Sequence, residues 1–167
     1  SSASIDGTVN AAGGGNIVVR KKAVVSYSDF TAASVDQRVG FQSVIVGDSI
    51  SELFFKLATP FKYDTGPATV IGSICRVTFG DRSDQDGYCK TKLCGSSVAA
   101  GTYFHTTMGG LVGKGPYLFN AASNLPKSKV YTATSYIQCK LTASAFYVAS
   151  LTQGAVHVYY DIMQLPS

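Results

Sequence analysis

The chain has 167 residues, enough for one domain with its own core, and 46% of them are hydrophobic against only 14% charged. The net charge is +4, yet the basic residues form no long run and Tyr and Phe do not alternate with Arg, so a specific nucleic-acid partner is not expected. No stretch approaches the ~20 apolar residues of a membrane span, and a membrane partner is not expected either.

In chain order, residues 1–16 are small, polar and glycine-rich, ending in Gly13-Gly14-Gly15-Asn16. Such a composition buries too little apolar area to fold alone, and it reads as an N-terminal arm. Ile5 and Val9 are its sizeable apolar groups and its candidate docking residues. The arm has neither the charged nor the apolar region of a signal peptide, which fits a cytosolic product. Residues 17–167 read as a single domain.

The segment IVVRKKAVVSY begins at Ile17 and is rich in β-branched residues, which predicts a strand. It contains the one dense basic cluster, Arg20-Lys21-Lys22, a candidate contact for an acidic surface. Ser28 is a candidate cap for a short helical turn through Ala33. Val35, Val39, Phe41 and Ile45 then recur at a period of two, as on one face of a strand. A turn at Gly47-Asp48 leads to SISELFFKLATPF, a strand whose Ile50 and Phe54 imply partial burial on both faces. Asp64-Thr65-Gly66-Pro67 is a turn signal, and ATVIGSICRVTFG after it is another strand. Tyr131, Ala133, Ser135, Ile137, Cys139 and Leu141 alternate along one face of a later strand. Val156, Val158, Tyr160 and Ile162 do the same in the last. No window keeps a 3.6-residue period over a dozen residues. Seven or eight short strands divided by Gly, Pro, Asn and Asp predict an all-β, antiparallel β-sandwich, jelly-roll-like in form.

The stretch FGDRSDQDGYCKTKLCG, Phe79 to Gly95, gathers three carboxylates and two cysteines. A calcium loop of the helix–loop–helix kind needs an acid at its first position and Glu at its last, where this chain has Arg82 and Leu93. An irregular ion site on Asp81, Asp84 and Asp86 is the residual option. Cys89 and Cys94 have tolerable spacing for half a zinc site, but Cys75, Cys139, His105 and His157 supply no second close pair. The spacing also fails the Cys-x-x-Cys redox pattern. The stretch therefore reads as a turn between strands, in which Asp and Gly bond their own backbone. The four cysteines are expected as free, packed thiols. His105, in GTYFHTTMGG, is the one candidate general base, and no nucleophile motif accompanies it. No catalytic residue, metal or cofactor is expected, and the chain is not expected to be an enzyme.

The run Val24–Phe61, the strand and acidic loop GSICRVTFGDRSDQDGYCKT, and the closing GAVHVYYDIMQL together resemble small β-sandwich structural proteins of tailed bacteriophages. The resemblance covers about half the chain. It implies a virion component on the capsid surface, assembled in the host cytoplasm: a cement or decoration protein, often a homotrimer, whose partner is the major capsid protein. Ile5, Val9, Arg20, Lys21 and Lys22 are the residues expected to make the contact. The alternatives are a receptor- or glycan-binding fibre or spike module using tyrosines of Gly101–Tyr117, a head–tail or tail component, and a small hydrolase using His105.

Overall fold

The computed structural model describes residues 17–63, 75–104, 114–123, 125–144 and 146–164. Its strands are β1 (Val18–Ser26), β2 (Asp36–Val44), β3 (Ser49–Lys62), β4 (Cys75–Gly80), β5 (Cys89–Leu93), β6 (Thr102–Phe104), β7 (Phe119–Asn120), β8 (Leu125–Pro126), β9 (Lys129–Val130), β10 (Ser135–Ala143) and β11 (Gln153–Met163). One sheet runs β1-β11-β3-β6, with β9 added to β3; the facing sheet runs β2-β10-β4-β5. All ladders in both are antiparallel. Four strand pairs, β1–β11, β2–β10, β3–β6 and β4–β5, stack in succession and divide between the two sheets. That ordering is a jelly roll, as the alternating pattern predicts.

Alternation explains why these residues stack this way. Leu53, Phe55 and Leu57 of β3 and Val156, Val158 and Ile162 of β11 point inward and are fully or almost fully buried. From the other sheet Cys75, Val77 and Phe79 of β4 meet Ile137, Cys139 and Leu141 of β10. Phe55 ties the layers together: its ring lies 4.8 Å from that of Phe79 and 4.7 Å from that of Phe104. Each buried aromatic or aliphatic side chain of this kind stabilises the fold by about 1.5–3 kcal/mol. The four cysteines are buried and unbridged. Burial pushes the Cys75 thiol up to about 11 and the Cys89 thiol to about 12, so neither ionises near neutral pH.

Three local expectations are corrected. The helical turn after β1 is a single 3₁₀ turn, Tyr27–Asp29, capped by Ser26 rather than Ser28. The Ser26 N–H donates to the Asp29 carboxylate at 2.8 Å, and the chain is extended again at Phe30. In β2, Val39 and Phe41 face the core side, but Ile45 is 48% exposed and Val44 is buried in its place. The cause is an extra residue: Gln138 pairs with Gly40 while the preceding residue, Ile137, pairs with Gln42, leaving Phe41 as a bulge. A bulge reverses the inward phase of everything after it. The alternation from Tyr131 to Leu141 does not lie on one continuous strand. Tyr131 is buried, but β9 ends at Val130 and β10 starts at Ser135.

Candidate interaction face

The acidic loop between β4 and β5 folds around one carboxylate. Asp81 is 2% exposed, and its Oδ1 accepts from the Ser83 N–H at 2.8 Å, the Asp84 N–H at 3.0 Å and the Tyr117 hydroxyl at 2.9 Å. The Asp81 N–H donates back to the Asp84 carbonyl, and Gln85 at the tip accepts from Lys140 and Arg38. Tyr88 follows, fully buried, its hydroxyl paired with that of Tyr131 at 2.5 Å. Lys129 covers this group, with its ammonium 4.0 Å from the Tyr117 ring centre and 5.4 Å from that of Tyr131. Burial, with Asp81 nearby, holds the Tyr117 and Tyr131 hydroxyls protonated. The cluster joins the loop to the segment 115–131. Among the described residues, no three His, Cys, Asp or Glu side chains converge as metal ligands. The sequence singled out Asp81 but not its hydrogen-bond partner Tyr117, which lies 36 residues further along the chain.

The other organised surface is the outer face of the β1-β11-β3-β6 sheet. The registers set three rows across it: Arg20, Asp161 and Glu52; Lys22, Tyr159 and Phe54; Val24, His157, Lys56 and Tyr103. Arg20 grips Asp161 through two bonds of 2.7 and 2.9 Å, and its guanidinium lies 5.0 Å from the Phe54 ring centre. The Asp161 hydrogen bonds raise the guanidinium's proton affinity further. Phe54 stacks on Tyr159 at 5.1 Å, Lys22 lies over Tyr159, and Lys56 lies over Tyr103. The long side chains lay their stems on the rings, which explains why the outer sides of β3 and β11 are half-buried rather than exposed. His157 sits between Lys22 and Lys56. Partial burial first, and those two cations second, push its imidazole below the ordinary value.

The pleat divides the basic cluster. Arg20 and Lys22 share the outer face, whereas Lys21 shares the side of Ala23 and the buried Val25, and donates to Gln164 at 3.1 Å. The three residues therefore do not share one face, and Arg20 is already paired with Asp161. A period of two, applied to Arg20–Lys22, carries the signal for that split. Ile5 and Val9 lie outside the described residues, as does His105. Of the Gly101–Tyr117 tyrosines, Tyr103 is 48% exposed, while Tyr117 is turned into the loop cluster.

No protein-family profile and no curated protein matches the sequence. The fold does match a solved structure, a chain described as "Cyanophage Pam1 capsid asymmetric unit", with a TM-score of 0.52 and 11% sequence identity. The match covers 91% of this chain and 87% of that one, so the two chains are also close in length. At that identity the likeness defines a shared all-β architecture.

Proposed function

We propose that this chain is a structural protein of a phage particle, without catalytic function, acting on the capsid surface as a cement or decoration protein that bridges major capsid protein subunits. One observation carries the reading: a jelly roll spanning nine-tenths of the chain is shared with a chain of similar length from a capsid asymmetric unit. The low charge content and the exposed Val18, Val24, Tyr103, Tyr136 and Tyr147 favour contacts with other proteins, where aromatic residues are enriched. Bridging needs surface complementarity and avidity rather than chemistry. Three copies joined as a homotrimer would each add a tethered contact and raise the effective concentration of the others.

In this reading Ile5 and Val9 of the arm engage the neighbouring subunit, and Lys21 and Lys22 contribute beside them, with Arg20 held in its pair with Asp161. Deletion of residues 1–16 tests the assignment on shells purified from the encoding phage. The expected result is a folded domain with an unchanged melting temperature that no longer decorates shells. Full decoration by the truncated protein would overturn the arm's role. An electron-microscopy map of the particle lacking this chain on its shell would overturn the reading as a whole.

A further inference from the structure

The edge strands of the two sheets differ in how they are closed. β6, at one edge of its sheet, is three residues long. β5 is five residues long with an irregular register, and β2 carries the Phe41 bulge. Short length, bulges and charged side chains are the usual means by which a protein blunts a sheet edge. β1 has the charges, in Arg20, Lys21 and Lys22, but neither of the other two. It runs nine residues from Val18 to Ser26, pairs with β11 residue for residue, and leaves its second edge without a strand partner among the described residues. Val18, Val19 and Val24 on it are 54%, 46% and 55% exposed. The strand has the shape of a template for one more strand, and its charges state which strand would fit.

Self-pairing is opposed. In the fully overlapping antiparallel register Lys22 faces its own copy, and slips toward the start of the strand set Lys21 against Lys22 and then against itself. Like charges directly opposite each other destabilise a ladder. Because the pleat sends Lys21 and Lys22 to opposite sides, a complementary strand needs two adjacent carboxylates, one reaching each side. It also needs β-branched apolar residues opposite Val18, Val19 and Val24. We infer that the β1 edge accepts an extended, acidic segment of a neighbouring protein as an added antiparallel strand. Only the identity of that neighbour, a shell subunit, rests on the proposed function; the pairing itself is tested without a shell.

The probe is a nine-residue peptide, Thr-Thr-Val-Thr-Glu-Glu-Thr-Val-Val, compared with its Lys-Lys counterpart, against the full chain labelled for amide NMR. The expected result is a preference of about tenfold for the Glu-Glu peptide, shrinking as salt is added. Perturbed and exchange-protected amides should fall at every second residue of Val18–Ser26, since alternate N–H groups point to the open edge. The double variant Lys21→Glu/Lys22→Glu should reverse the peptide preference. Absence of binding, binding away from β1, or a preference unchanged by the double variant would overturn the inference. So would concentration-dependent protection of β1 without peptide, which would assign the edge to a second copy.

Discussion

Replacing Gly154 by Ala should destabilise this protein twice over, through backbone strain and through overpacking of the core. Gly154 lies in β11 where the register slips between Gln153 and Ala155, and its φ is 143°. An L-residue there carries strain of about 1–3 kcal/mol. A Cβ would also stand 2.2, 2.4 and 2.7 Å from three carbons of the Phe61 ring. Carbon–carbon contacts are comfortable only at about 3.5–4.0 Å, so the ring must retreat by more than an ångström. It has little room, being fully buried and edge-on to Phe30 at 6.1 Å, with its N–H bound to the Cys94 carbonyl. Overpacking of this kind costs about 1–3 kcal/mol more, and the stiffer unfolded chain returns about 0.4–1. The net loss is about 1–5 kcal/mol, a fall in melting temperature of about 2–20 °C for a chain of this size. Gly101→Ala is the internal control. Its φ is 87° but nothing lies within 4 Å of its Cβ position, so strain alone, about 1–2 kcal/mol, should appear. Urea unfolding of both variants separates the two contributions. If Gly154→Ala loses no more than Gly101→Ala, the packing of Phe61 against the bulge is not the constraint described.

Two further outcomes follow from the site geometry. Asp81→Ala leaves the Ser83 and Asp84 N–H groups and the Tyr117 hydroxyl without their acceptor, and should cost about 2–4 kcal/mol in denaturant unfolding and speed tryptic cleavage after Arg82; an unchanged midpoint would refute the loop's dependence on that carboxylate. The His157 imidazole is depressed in the fold, so the unfolded chain takes up its proton first, and stability should fall as pH drops from about 6.5 through the lower folded value. His157→Gln should remove that part of the pH profile, and superimposable wild-type and variant profiles would contradict the placement of Lys22 and Lys56 beside the ring.

The inward positions of β10 and β11 were legible because each strand keeps an unbroken period of two against a single hydrophobic layer. Val156, Val158 and Ile162 needed no knowledge of their partners. Ile45 was not legible: the Phe41 bulge arises from pairing with β10, almost a hundred residues later, and leaves no local mark. The same limit hid the outer face. Phe54, Tyr159 and Lys22 are unremarkable singly, and only the registers of two ladders bring them into one row. The acidic loop was half legible. Its role as a turn follows from Asp and Gly chemistry, but the tyrosines and Lys129 that close over it come from elements that sequence spacing does not connect.

The pairing of β1 with β11 sets Val18 directly across from Met163. The polypeptide therefore enters and leaves the sandwich through adjacent doorways. Such a domain can be spliced into a surface loop of another protein, or joined end to end and reopened elsewhere, with only a short tether and without disturbing the layers between.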